Sequence, residues 1–401
     1  RDYSDNILYS SMWDETNSQK DESIVADLHF PTNKEPIYSS PLIGICNPIL
    51  QSTRRNYRGN SDYDFVDLLE TPVNYQPRVK YSYNTNKSFY RERIPTFKNG
   101  SLFTSVYRLA CRRFVPLTGE RTLQASLVHP GVAWVHSILA YGVHPEKNRN
   151  SLVAFTSGLF AAIPYDYYVR SVGKKNIKSS VLAPLPVPET CLANEIRLRG
   201  LLLNCLTLPY ADLWQSCWDD SYTSMSWAKA DPRLTPETFT DLTSQWDWHT
   251  PLRTDYERRQ ALVELDVLAS MALGITLDEL TDIYRLTFTV LKGYEDDTWY
   301  DAQGRIAFSK KNYGDLMYKR ADFNRIRDAK AGEIFTRTIM DDTKPGGPRE
   351  RTIAYAAPFD TCDRIDDYAA AWAFFEDKYG DQLAQERKER TRRQAARGEQ
   401  R

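Results

Sequence analysis

Several absences in this 401-residue sequence exclude whole classes of protein. No stretch approaches 18 consecutive apolar residues, and the opening RDYSDNILYSS has neither a basic start nor an apolar core, so the sequence predicts no membrane span and no signal peptide. The six cysteines form no CxxC pair, and the five histidines do not approach them at metal-ligand spacing. We therefore expect a cytoplasmic protein with reduced, mostly packed thiols.

The glycines and prolines exclude the common cofactor and catalytic motifs. No two of the 18 glycines are separated by one residue, and no two of the 21 prolines are adjacent. The glycine-rich turn that binds an adenosyl cofactor and the Asn/Asp-Pro-Pro-aromatic loop that binds a target amine are therefore both missing. The sequence has no GxxxxGK[ST] phosphate loop and no serine, cysteine or histidine in a local nucleophile motif. We predict that this chain alone catalyses no reaction.

The overall composition is that of a globular protein. It contains 52 Lys and Arg against 53 Asp and Glu, and 41% of its residues are apolar. At roughly 150 residues per domain, the length predicts two or three domains. Because the first residue is Arg rather than Met, we also expect the chain to be a fragment of a longer protein.

Local patterns predict a mixed α/β fold (α+β) followed by a largely helical region. Short apolar bursts in residues 1–100 predict strands joined by long loops, and apolar runs after Ser101 predict further strands, followed by a helix over 152–170. The proline-rich APLPVPET ends this part near Pro188. The predicted domains are an α/β domain over 1–188, a helical domain over 189–292, and a mixed region over 293–401 that ends in a basic helix or tail.

A helical hairpin over 255–291 has the clearest local signals. Thr254-x-x-Glu257 and Thr276-x-x-Glu279 are capping boxes, and apolar residues follow each at helical spacing. A packed core hairpin is one interpretation, and a DNA-reading helix-turn-helix is the other. The surrounding segment, residues 212–301, has 18 acidic and seven basic residues, and this charge favours the packed hairpin.

Positive charge is concentrated in an earlier segment. Residues 78–121 contain ten basic and two acidic side chains, interleaved with tyrosines and phenylalanines, and residues 174–178 add three lysines. Lys and Arg bind phosphates and flat rings stack on bases, so this composition indicates a nucleic-acid surface. A solvated, loop-rich surface is the alternative.

A metal-dependent nuclease is a further hypothesis. Asp366, Asp367, Glu376 and Lys378 form the best acidic cluster for Mg²⁺. They lie in a stretch with helical composition, which favours ordinary charges on a helix surface.

Three stretches resemble the non-catalytic C-terminal part of large DNA adenine methyltransferases of the type IIG restriction-modification and BREX or DISARM phage-defence kind. The first begins at Tyr107 (YRLACRRFVPLTGERTLQASLVHPGV). The second is AFTSGLFAAIPYDYYVRSVGKKNIKSSVLAPLPVPE, in which Tyr168, Arg170, Gly173 and the Leu-Pro-Val-Pro run ending at Pro188 match, while Thr156-Ser157 stands where the family often has Asn-Ser. The third is RRQALVELDVLASMALGITLDELTDIYRLTF.

The resemblance implies a bacterial or archaeal cytoplasmic protein that recognises a short double-stranded DNA sequence. An N-terminal domain outside the chain would methylate adenine N6 with S-adenosyl-L-methionine, and this chain would hold no cofactor itself. Phosphate contacts set register and base-edge contacts set specificity, so the expected DNA-binding residues combine cations with one amide as base reader. They are Arg91, Arg93, Arg112, Arg113, Lys174, Lys175, Asn176 and Lys178. The alternative function is a protein-binding scaffold in a multi-subunit defence complex, with the acidic helical middle as its interface.

Overall fold

The computed structural model describes residues 7–31, 35–59, 61–85, 89–115, 117–144 and 149–398. With 40% helix and 19% strand, it confirms the predicted mixed class. The strands in chain order are β1 (Ile7–Ser10), β2 (Ile24–His29), β3 (Ile37–Tyr38), β4 (Gln51–Thr53), β5 (Tyr63–Phe65), β6 (Val79–Tyr83), β7 (Arg108–Arg112), β8 (Ala125–Val128), β9 (Ala133–Trp134), β10 (Ile138–Val143), β11 (Thr298–Tyr300), β12 (Ile306–Ser309), β13 (Ile334–Asp341) and β14 (Arg349–Ala356).

Helices occur in both halves of the chain, and the two longest lie in the second half. The helices are α1 (Glu15–Lys20), α2 (Phe89–Glu92), α3 (Arg149–Ala161), α4 (Ile163–Ser171), α5 (Ser179–Leu182), α6 (Ala193–Asn204), α7 (Ala211–Ser216), α8 (Asp255–Leu273), α9 (Leu277–Thr287), α10 (Thr289–Glu295), α11 (Arg320–Ile326) and α12 (Arg364–Gly398). The basic C-terminal sequence lies in the last part of α12.

Two four-stranded sheets form the first part of the fold. One has the antiparallel order β1-β10-β7-β8, and the other has the order β2-β6-β3-β9, in which β3 and β9 are parallel. The first sheet is buried on both faces: Leu109 and Cys111 join the largest core cluster, while Ala110 between them joins a second cluster. Burial on both faces explains why these strands have continuous apolar runs rather than alternation.

Helix α3 packs on this sheet, helices α6 and α8 pack against α3, and all three contribute to the largest core cluster. Helices α3 and α6 cross at Gly158 and Gly200. A Cβ atom on Gly158 would lie 2.6 Å from the carbonyl oxygen of Ile196, so only glycine allows this close approach. Helix α12 packs along α8. The largest cluster takes residues from all three predicted segments, and their division into domains stays a prediction.

Both predicted capping boxes are present, at Thr254/Glu257 and at Thr276/Glu279. Two helix predictions are wrong in their continuity. The single helix expected over 152–170 is divided at Ala162, two residues before Pro164, which has no N–H to continue the helix. The second helix of the hairpin ends at Thr287, and α10 begins after Phe288, whose backbone leaves the helical region.

All six cysteines are free thiols. Cys46, Cys111, Cys205 and Cys217 are buried. Burial raises the pKa of Cys46 to about 11 and that of Cys111 to about 12. None of the helices within the described ranges is both long enough and apolar enough to cross a membrane.

Candidate nucleic-acid interface

The chain that leaves β7 pairs with the lysine-rich loop that follows α4. The N–H of Ile177 donates to the carbonyl of Arg113 at 2.9 Å, the N–H of Val115 donates to Lys175 at 3.3 Å, and Phe114 and Asn176 form an antiparallel bridge. Gly173 ends α4 with φ +69°, a conformation that favours glycine. Two segments that are distant in sequence therefore form a short two-stranded ribbon.

Positive charge is concentrated on this ribbon. Ile177 is buried and anchors the loop, whereas Lys174, Lys175, Asn176 and Lys178 are exposed. Within the part of the chain that the structure describes, none of the three lysines forms an ion pair. We call Arg113, Phe114, Lys174, Lys175, Asn176 and Lys178 the basic-aromatic surface.

Aromatic rings are exposed on and beside this surface. Phe114 is 46% exposed, and it contacts the His136 ring edge-to-face at 5.5 Å. The guanidinium of Arg113 lies 5.4 Å from the centre of the Phe114 ring and donates to the carbonyl of His136. The last turn of α4 exposes Tyr167 and Tyr168. Exposed rings beside unpaired cations give stacking partners and phosphate partners together.

Arg170, one of the residues on which the predicted resemblance rests, packs beneath this surface. Its guanidinium donates to the carbonyls of Thr287 (2.9 Å) and Gly119 (2.8 Å) and lies 4.4 Å from the Phe288 ring. Burial lowers the pKa of Arg170. These contacts fix α4, and with it the start of the lysine-rich loop, against α9.

Arg91 lies in α2 and Arg93 lies just after it, beside a cluster of buried aromatic rings. Both are exposed, and Arg93 forms an ion pair of 2.5 Å with Asp21, which lowers the pKa of that carboxyl to about 2. Tyr90 of α2 stacks on Trp13 at 4.7 Å. Trp13 in turn accepts a hydrogen bond from the N–H of His136. This buried cluster therefore contacts the basic-aromatic surface through His136, which binds Trp13 on one side and Phe114 and Arg113 on the other.

Arg112 points into the fold. Its Nε donates to the carbonyl of Ile43 at 2.8 Å, and burial lowers its pKa to about 10. These contacts keep the guanidinium among backbone carbonyls, and we do not include Arg112 in the proposed surface.

Other cations of the basic segment are also internal, so the charge count of the sequence overstates the charge of the surface. Arg78 binds Asp342, and Arg121 binds Asp166 at 2.5 Å. Arg108 is fully buried and donates to the carbonyls of Val106, His129 and Val132. Lys87 lies outside the described residues. No local sequence signal separates these inward arginines from the outward ones.

The acidic cluster proposed for a metal does not converge on one site: Asp366 and Glu376 are exposed, while Asp367 and Lys378 form separate ion pairs. Asp367 is buried and binds Lys229 and Arg259, and Lys378 binds Glu195 at 2.9 Å. Over the residues described, no group of three or more His, Cys, Asp or Glu side chains is arranged to hold a metal ion. The arrangement gives no support to the nuclease hypothesis.

The acidic middle of the chain is largely structural as well. Glu264 binds Arg199 at 2.6 Å, and Asp266 and Glu295 both bind Arg364. Helix α8 is buried along most of its length, and exposed α9 presents Asp278 and Asp282. A helix with that charge is unsuited to the major groove, and the helical pair packs as a core hairpin.

A scan against models of protein families gives no match, and a search of curated proteins gives none either, so the resemblance to DNA adenine methyltransferases stays a prediction from the sequence.

Proposed function

We propose that this chain binds double-stranded DNA through the basic-aromatic surface, as the target-recognition part of an adenine-N6 DNA methyltransferase of a restriction or phage-defence system. One observation carries this proposal. The pairing of residues 113–115 with 175–177 places one arginine, three lysines, an amide and an exposed ring on a single ribbon.

Each side chain on the ribbon has a distinct task in this proposal. Lys174, Lys175 and Lys178 bind phosphates and set the register of the protein on the duplex. Asn176 has the donor and acceptor pair that matches the N6 and N7 atoms of adenine. Phe114 stacks on an exposed base or inserts at a flexible step.

Methyl transfer belongs to another domain in this proposal. S-adenosyl-L-methionine supplies the methyl group of such enzymes, and the glycine-rich turn and Pro-Pro loop that serve it are missing here. No residue of this chain is therefore assigned to the cofactor or to the methylation step.

The salt dependence of DNA binding tests the proposal. The wild-type chain is titrated into a labelled random-sequence duplex at about 50 and about 200 mM salt. We expect Lys174→Glu/Lys175→Glu to weaken binding at least tenfold, as about two phosphate contacts are lost. We also expect the slope of log K against log salt to become shallower by about 0.9 per lost contact.

The matched control is Arg325→Glu/Lys330→Glu, which makes the same charge change at two exposed positions in and beyond α11. This control keeps wild-type binding if the basic-aromatic surface is the site. Equal losses in both variants would indicate non-specific attraction. No complex at low salt would contradict DNA binding and favour the protein-binding scaffold.

A further inference from the structure

A cavity of about 250 Å³ lies at the start of α8 and shares no residue with the basic-aromatic surface. Its wall comes from α8, α10, the β11–β12 hairpin and the loops around residues 44–50 and 65–69. It therefore lies where the sheet-rich first part of the chain meets the helical and C-terminal parts.

One face of α8 lines this cavity. Asp255, Arg258, Arg259 and Leu262 follow the helical spacing of i, i+3, i+4 and i+7, and all four belong to the wall. The capping box at Thr254 fixes where the helix begins and so which residues face inward. A core helix normally presents apolar side chains there. Arg258 and Arg259 are buried on this face, and buried charges need partners.

Most cations of the wall are already paired with carboxylates. Arg305 binds Asp67 at 2.9 Å, and Lys311 binds Glu120 at 2.7 Å. Arg364 binds Glu295 at 2.7 Å. These pairs leave no net charge that calls for a ligand.

Arg253 and Arg258 differ because their hydrogen-bond partners are neutral oxygens. Arg258 donates to the carbonyls of Cys46, Leu203 and Leu252, which uses three of its five N–H groups. Burial lowers the pKa of Arg253 and of Arg258 to about 10, the mark of a positive charge without a bound counter-charge.

Arg259 adds an unsatisfied donor. It is 6% exposed, its Nη1 binds Asp367, and its Nη2 has no hydrogen-bond partner in the described part of the chain. A buried N–H without an acceptor is unfavourable, and an oxygen ligand in the cavity would satisfy it.

The remaining wall suits a small organic body. Leu262, Leu291 and Leu50 are apolar, and the rings of Phe65 and Tyr313 meet at 5.2 Å. Asp255 is exposed, and its carboxylate accepts a hydrogen bond from the N–H of Ile306 at 2.9 Å. The cavity thus combines guanidinium donors, the Asp255 carboxylate, three carboxylates already paired with cations, and an apolar wall.

We infer that this cavity binds a small molecule carrying one oxyanion group, a carboxylate or a phosphate, which accepts hydrogen bonds from Arg258 and Arg259. The inference does not depend on DNA binding, because it uses other residues.

Calorimetric titration of the full chain with inorganic phosphate, and separately with acetate, tests this site at constant ionic strength in chloride. We expect saturable binding of at least one of the two anions at one site per chain. Leu262→Trp fills the cavity without removing a charge and weakens binding at least about tenfold. Asp255→Asn removes a negative charge from the wall and strengthens binding several-fold.

Phosphate also has affinity for surface lysines, so Lys174→Glu/Lys175→Glu serves as the control and retains the cavity binding. Binding lost in that control but kept in Leu262→Trp would overturn the inference, as would no saturable binding to the wild type. If Leu262→Trp does not fold, the direction of the Asp255→Asn effect decides, since weaker or unchanged binding contradicts an anion beside Asp255. Loss of DNA binding leaves this result unaffected.

Discussion

Single side chains show how this protein keeps charge inside its core. Arg108 is fully buried with carbonyl partners only, and burial lowers its pKa to about 9. Its guanidinium lies 4.9 Å from the Trp134 ring, and its Nη2 donates to the carbonyl of His129 at 2.7 Å. The imidazole of His129 is therefore held in a buried site beside a cation.

The buried imidazole of His129 makes the stability of the protein depend on pH. Burial lowers its pKa to about 4, against 6.5 for an ordinary histidine, with Arg108 acting in the same direction. The unfolded chain thus binds the proton first as the pH falls. The stability that the neutral ring contributes is complete above pH 6.5 and is lost between about 6.5 and about 4, with a loss near pH 5 of about 2 kcal/mol.

Urea unfolding at neutral pH and near pH 5 measures this effect. His129→Phe replaces the imidazole with a ring that does not titrate. The difference in unfolding free energy between the two pH values should therefore shrink by about 2 kcal/mol. An unchanged difference would show that His129 is not the group responsible.

The inward arginines also show what the sequence alone cannot predict. Lys174, Lys175 and Lys178 follow a helix-ending glycine, and their exposure agrees with that local context. Arg112 and Arg113 are adjacent in the sequence, yet the first binds the carbonyl of Ile43 and the second lies on the ribbon with Phe114. The directions of these two side chains depend on which loops pack against the end of β7, and the local sequence does not determine that packing.

The crossing of helices α3 and α6 depends on Gly158. A methyl group there would meet the carbonyl oxygen of Ile196 at 2.6 Å and its Cγ2 at 2.8 Å. Because a backbone atom cannot move aside as a side chain can, we expect Gly158→Ala to push the helices apart and destabilise the protein by about 1–3 kcal/mol. Thermal or urea unfolding checks this value.

Gly293→Ala is the matched control. Gly293 lies in α10, and a Cβ atom there would have no neighbour within 4 Å. Alanine is the better helix former, so this change should stabilise the protein by about 0.5–1 kcal/mol. The same sign for both variants would contradict the packing explanation.

Local signals predict where helices start better than where they stop. The capping boxes at Thr254 and Thr276 can be predicted from the sequence, because each hydrogen bond joins two residues only three positions apart. The break at Phe288 has no such signal, since no proline or glycine lies there. The Phe288 ring packs under Arg170, a contact with a residue more than a hundred positions earlier.

Asp67, in the first part of the chain, forms ion pairs with two arginines more than 200 positions later. Its carboxylate is 5% exposed and accepts from Arg305 and from Arg351, each at 2.9 Å. We expect Asp67→Asn to cost about 3 kcal/mol, because the partly buried Arg305 loses its ion-pair partner and Arg351 keeps only Asp341. Proteolysis of the β13–β14 hairpin should become faster in parallel with the loss measured by urea unfolding.

Asp64→Asn is the control for this junction. Asp64 is three residues away and pairs with Arg54 at the surface, where both side chains are more than a third exposed. An exposed pair contributes less than about 1 kcal/mol, so this variant should behave almost as the wild type. Similar losses in the two variants would mean that burial does not set the contribution of Asp67.

The rates at which the buried cysteines are alkylated report local opening of the native protein. Alkylating reagents attack the thiolate, and burial holds Cys46, Cys111, Cys205 and Cys217 in the thiol form and away from solvent. Each thiol is therefore modified only when its own surroundings open. Cys111 lies in β7 and Cys217 ends α7, so the rates of alkylation at these two positions compare the opening of the central sheet with that of a short helix.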